Sequence, residues 1–274
     1  MTFASVVRGD FFVAAEFAAP HWLHLRTKSG TNWKFFLGDI DALIDLFANR
    51  QPGDPEGLVA VCNVHMFIQT ERDPKLAEAI NSAAFAVCDG QPIAWLAKLL
   101  AGKPVPRVTG PDLFQRILCD NLGKFRVAIV GGNPEILSRI VATADGSHPH
   151  NLMVVAPGIV PASGAPELDH INKLKLFRPQ ITFVGLGCPK QEKWGSQAAS
   201  MGLGGQVVGV GAALQYFLGD IRVAPSLVRL FGFEWLYRLI QQHKGTCDVI
   251  QPVNPSVCVE KIEEHFFKVT QNVR

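Results

Sequence analysis

From Leu58 onward the chain alternates two patterns of hydrophobic and polar positions. Short, almost unbroken apolar runs at Leu58–Cys62, Phe85–Cys88, Arg126–Val130, Leu152–Ala156, Ile181–Val184 and Gln206–Val210 read as strands, because each is too short for a helix and is bounded by turn-forming residues. Between them, apolar positions spaced three and four apart predict helices near 74–82, 92–101, 112–122, 134–144, 166–177 and 190–201. Strands that are apolar on both sides and separated by helices predict an α/β fold, with a mostly parallel, Rossmann-like sheet covered by helices on both faces. Residues 1–57 show no such alternation. Phe11, Phe12, Trp22 and Trp33 are scattered, and only Asp41–Ala48 carries a helical pattern, so an irregular N-terminal flap is expected there. Past Gly211 the pattern changes again, predicting a helix over 225–242, a polar break through Gly245 and a last helix near Ser256–Val269. The expected organisation is a flap (1–57), an α/β core (58–221) and a C-terminal helical appendage (222–274), with no internal repeat.

In an open α/β sheet, ligands bind in the crevice beyond the carboxyl ends of the strands. Asn63 follows the first predicted strand, Asp89-Gly90 the second, Gly131-Gly132-Asn133 the third, the segment from Gly185 to Glu192 the fifth, and Gly209-Val210-Gly211 the sixth. Asp89 ends an apolar strand with no basic neighbour in sequence, a placement that suits a general base. It suits equally an Asp-Gly turn whose carboxylate caps the next helix. In Gly185–Glu192, Pro189 fits the first helical position, and free backbone N–H groups with Lys190 would meet an anion such as a diphosphate. An ordinary glycine turn before a helix reads the same way.

Several chemistries are disfavoured. Neither Gly185–Lys190 nor Gly209–Leu214 completes GxGxxG or GxGxxA, since the sixth residues are lysine and leucine, and Lys103 and Lys124 are followed by Pro104 and Phe125 instead of completing a Walker A loop. Asp39-Ile40-Asp41 has the DxD form that holds divalent ions in many glycosyltransferases, but its place before the 41–48 helix makes capping the better account. His65 with Glu71, and His148 with His150, form no HExxH-type set and read as solvated loop histidines. No metal or cofactor is expected. With 274 residues, 48% of them hydrophobic, the chain can bury a sizeable core, and a net charge of +2 without a basic run leaves no electrostatic footprint for nucleic acid.

The six cysteines (Cys62, Cys88, Cys119, Cys188, Cys247, Cys258) lack CxxC spacing and read as reduced and packed, as in a cytoplasmic protein. Arg8, Asp10 and Glu16 interrupt any signal-peptide core, and glycines break the uncharged stretch Trp194–Gly219, so no spanning segment is expected. The 225–242 helix is apolar almost all round, with Leu227, Phe231, Phe233, Trp235 and Leu236 beside Arg229 and Arg238. It must be covered by the core, by a second subunit in a homo-oligomer, or by a membrane surface.

Four blocks in order, Asp89-Gly90, Arg107-Val-Thr-Gly110-x-Asp112-Leu113, Gly185-Leu-Gly-Cys-Pro-Lys-Gln-Glu-Lys-Trp194, and Val208–Asp220 with Phe233-Glu-Trp-Leu-Tyr-Arg-Leu239, resemble the WecG/TagA/CpsF glycosyltransferases over roughly residues 58–241. The resemblance implies inverting transfer of a sugar such as N-acetylmannosamine, its uronic acid or glucose. The donor would be a UDP-sugar and the acceptor a polyprenyl-diphosphate-linked species at the cytoplasmic membrane face, with no bound metal. It implies that Asp89 is the catalytic base and that Asn63 and Gln191 contact the sugar. Lys190 and the glycines Gly110, Gly131, Gly132, Gly185, Gly187, Gly209 and Gly211 complete the expected substrate site. Where the family continues with an arginine-rich appendage, this chain reads Gln241-Gln-His-Lys-Gly-Thr-Cys247. The alternatives are a nucleotide-sugar epimerase or dehydrogenase, and a non-catalytic sugar-nucleotide-binding partner in a polysaccharide assembly complex.

Overall fold

A computed structural model describes residues 12–19 (backbone only), 21–51, 53–144 and 146–221. The helices expected at 225–242 and 256–269 lie outside the described residues. All six expected strands are present: β4 (Gly57–Cys62), β5 (Phe85–Cys88), β6 (Val127–Gly131), β7 (Leu152–Val155), β8 (Ile181–Gly185) and β9 (Gln206–Gly209). So are the expected helices α1 (Ile40–Ala48), α3 (Pro74–Asn81), α4 (Gln91–Ala101), α5 (Gly110–Gln115), α6 (Pro134–Thr143), α7 (Leu168–Phe177) and α8 (Lys190–Ser200), with a π-helical turn continuing α5 over Arg116–Asp120.

Two short helices were not expected, α2 (Val64–Gln69) and α9 (Ala213–Phe217). The first removes His65 from the solvated-loop class: it lies on α2, and partial burial lowers its pKa. The larger difference is N-terminal. Instead of an irregular segment, β1 (Phe12–Ala19), β2 (Trp22–Thr27) and β3 (Asn32–Phe36) form an antiparallel meander that joins the sheet, with β3 pairing parallel to β5. The cause is a period of two: Leu23 and Leu25 on β2, and Trp33 and Phe35 on β3, are buried while the residues between them are exposed.

The described strands form one sheet in the order β1-β2-β3-β5-β4-β9-β8-β6-β7, parallel from β3 to β7. Alternation along each strand splits the core between its faces. Val59, Val61, Val87, Ile129, Phe183 and Val208 pack on one side with α1, α5, α6 and α9. Leu58, Ala60, Ala86, Val130, Val184 and Val207 pack on the other with α2, α3, α4, α7 and α8. Burying such a side chain contributes about 1.5–3 kcal/mol relative to leaving it exposed, which is why these runs are nearly all apolar. The connection from β4 to β5 runs toward β1, whereas the one from β5 to β6 returns across the sheet toward β7. That reversal opens a crevice at the carboxyl ends of the central strands.

Candidate active site

β4 and β5 run in register, Cys62 against Cys88, and the Asp89 N–H donates to the Cys62 carbonyl oxygen at 2.8 Å. Asn63 and Asp89, the next residues of the two strands, are therefore neighbours at the rim, both half-buried. Asn63 has a structural duty as well: its side-chain oxygen accepts from the Met66 N–H at 2.9 Å and caps α2. What it offers a ligand is its NH2 group. Gly90, not Asp89, takes the N-cap position of α4.

The next two loops are tied together by one side chain. Gln191 Oε1 accepts from the Gly187 N–H at 3.1 Å and from the Gly211 N–H at 2.9 Å, while Nε2 donates to Glu192 Oε1 at 2.7 Å. Gln191 is buried, so the motif glutamine rivets the β8 and β9 loops to each other. Gly209 makes room for this pair, since a Cβ there would lie 2.9 Å from Gln191 Nε2 and 3.0 Å from Glu192 Oε1. Gly187 needs its φ of +75°, a left-handed conformation that side chains disfavour.

Gly131 and Gly185 pair across β6 and β8 so closely that a Cβ on Gly131 would meet the Gly185 oxygen at 2.6 Å. Gly132 packs on Ile136 and Leu214, and Gly110, at the start of α5, lies against the Val210 backbone. Thr109 caps that helix, accepting from the Asp112 N–H at 3.1 Å and donating to its carboxylate at 2.6 Å. The floor of the rim is thus largely backbone. α8 begins at Lys190, as expected, with Pro189 at the N-cap position instead of the first helical one; the Lys190 ammonium donates to the Val160 carbonyl at 3.3 Å. The expected site residues thus sit along one rim, from Asn63 and Asp89 through Gly187, Gln191 and Gly211 to Gly131, Gly132 and Gly185.

Glu192 was not singled out in the sequence. It is fully buried, and burial pushes its carboxyl up to about 7 despite hydrogen bonds from Gln191 and the Cys188 thiol. Among the described residues its Oε2 finds no hydrogen-bond partner. The thiols around it are inert: burial, reinforced by Cys88, Asp89 and Glu192, raises Cys62, burial and Asp89 push Cys88 up to about 12, and burial and Glu192 raise Cys188. None is a thiolate nucleophile near neutral pH. The DxD carboxylates serve α1, where Asp39 accepts from the Ala42 N–H at 2.8 Å and Asp41 pairs with Arg116. Among the described residues no three His, Cys, Asp or Glu side chains converge as metal ligands, and no helix is long and apolar enough to cross a membrane.

A mostly parallel sheet with a switch-point crevice and a glycine-built rim defines an α/β protein with a candidate ligand site at the carboxyl ends of its strands. The sequence model of the glycosyl transferase WecG/TagA/CpsF family matches residues 32–264, and the chain belongs to that glycosyltransferase family. The match begins at the first residue of β3, so it takes in part of the meander as well as the parallel core.

Proposed function

We propose that the chain is an inverting hexosyltransferase that moves a sugar, such as N-acetylmannosamine, its uronic acid or glucose, from UDP to a polyprenyl-diphosphate-linked acceptor in cell-surface polysaccharide biosynthesis. The observation that carries this reading is the Asn63–Asp89 pair at the switch-point rim, set side by side by the Asp89 N–H bond to Cys62. Asp89 takes the proton of the acceptor hydroxyl as that oxygen attacks the anomeric carbon; the bond from that carbon to the diphosphate breaks, UDP leaves, and the centre inverts. The start of α8, with Lys190, provides positive potential for the leaving diphosphate. With Asp39 and Asp41 engaged on α1, the departure is assigned to these groups without a divalent ion.

The lipid acceptor places the work at the inner membrane face. The apolar 225–242 sequence with Arg222, Arg229, Arg238 and Lys244 supports peripheral attachment there. The test is UDP release from a UDP-sugar with polyprenyl-diphosphate acceptor in anionic vesicles containing EDTA. Wild-type protein should turn over, and Asp89→Asn should bind UDP normally while kcat falls about 10²–10⁴-fold. Near-wild-type turnover in the variant places the base elsewhere. Activity lost in EDTA and restored by manganese overturns the metal-free departure. Donor binding without any release of UDP points instead to the non-catalytic partner.

A further inference from the structure

The Gln191 amide has a single workable orientation, and its neighbour enforces it. Its oxygen faces two backbone donors, Gly187 and Gly211, so a flipped amide would set NH2 against N–H at both. On the other side stands Glu192, which when ionised can only accept. That carboxyl is fully buried, touches no solvent and is outside the groups given a chemical role above. Buried carboxylates without a cationic partner are costly, and among the described residues this one leaves Oε2 unpartnered. Lys193, the next residue, spends its ammonium on Asp73 at 2.6 Å. A buried, incompletely satisfied carboxyl of this kind calls for an explanation beyond packing.

We propose that Glu192 is a positioning residue acting through Gln191: as an acceptor behind the rim it fixes the carboxamide so that one oxygen clamps the Gly187 and Gly211 N–H groups, holding the β8 and β9 loops at one spacing. The ligand class is the nucleotide-sugar diphosphate of the preceding section, and the inference rests on that reading for its functional consequence, though not for the clamp itself. Two backbone loops set to a fixed spacing suit a diphosphate: with the Gly187 and Gly211 N–H groups given to Gln191, the clamp acts by holding the remaining groups of both loops where they do not reorganise during bond breaking. Among the described residues the groups that face Glu192 are the Cys188 and Cys62 thiols, Lys193 on α8, and through them Asp73 at the head of α3 and Asp89 after β5. A pKa pushed up to about 7 makes the clamp sensitive to pH near neutrality.

The experiment uses the full chain. Backbone amide shifts of Gly187 and Gly211 are followed by NMR without ligand, across the Glu192 midpoint, in wild type, Glu192→Gln and Glu192→Leu. In wild type the two signals should titrate together with one midpoint near 7. Glu192→Gln, which keeps an acceptor and is uncharged like the protonated carboxyl, should hold both amides near their wild-type low-pH limit with no titration, and should retain wild-type donor KM. Glu192→Leu should shift both amides while Val184 and Val208 stay in place, and should raise donor KM by about tenfold to a hundredfold with a smaller change in kcat. If Glu192→Leu does not fold, the wild-type and Glu192→Gln titrations decide. Gly187 and Gly211 signals that ignore pH in wild type, or that titrate equally in Glu192→Gln, overturn the proposal. If the amides respond as expected but wild type neither binds nor turns over a UDP-sugar, the clamp stands and the glycosyltransfer reading fails.

Discussion

Burial holds the Glu192 carboxyl protonated in the folded chain up to about 7, whereas in the unfolded chain it ionises near 4.5. Between those values the unfolded state has lost a proton that the fold keeps, so the group's contribution is fully present below the lower value and is lost as pH rises through the upper one. The shift corresponds to on the order of 3 kcal/mol. Glu192→Gln removes the titration. Denaturation followed at several pH values should therefore show the variant gaining on wild type between about pH 4.5 and 7, with a constant gap above. A gap that is flat across that window would return Glu192 to an ordinary carboxylate. The sequence hid this residue because Lys190-Gln-Glu-Lys193 looks like a solvated helix face; only the seating of α8 against β4 and β9 buries it. The rim glycines, by contrast, were legible as positions, because glycines that end apolar strands already signal close backbone approach.

At the level of elements, the parallel strands were legible to within a residue or so because burial on both faces forbids polar interruptions. β2 and β3 are poorly legible although Trp22–Thr27 alternates as a one-sided strand should, because the scattered aromatics mask the period. α2 is not legible because six residues carry too little periodicity, and its start shows only as Asn63, an expected ligand contact that is also a cap. Asp73 shows how two elements are pinned by one group. Partial burial pushes its carboxyl up, but the Lys193 ammonium and the N–H groups of Leu76 and Lys75 outweigh this and hold it below the usual range. It caps α3 and anchors α8 at once. Asp73→Ala removes the cap and strands a nearly buried lysine, so a loss of about 2–3 kcal/mol is expected by chemical denaturation. Asp73→Asn should recover the cap portion alone. A loss below the ordinary capping range would show that Lys193 finds water instead.

At the level of the whole molecule, the sheet is two blocks joined by one strand. β4 pairs with β9 over Gly57–Val59, and β8 pairs with β9 over Ile181–Val184; β4 and β8 are not partners of each other. The last strand described in the chain is therefore a central one. A chain ending at Leu203 retains eight of the nine described strands and the candidate site residues up to Gln191, yet lacks the seam. It should expose two apolar strand edges and aggregate or bind hydrophobic dyes, whereas a chain ending at Ile221 should unfold cooperatively. A soluble, cooperatively unfolding 1–203 fragment would refute that division. Because a ribosome releases residues in order, at about 5–20 per second, the nascent protein must carry both half-sheets with open inner edges until Gln206–Gly209 emerges. The same event that closes the sheet brings Gly211 beside Gln191, so a product stalled before Gln206 carries the rim residues up to Gln191 without the bond that ties the β8 and β9 loops together.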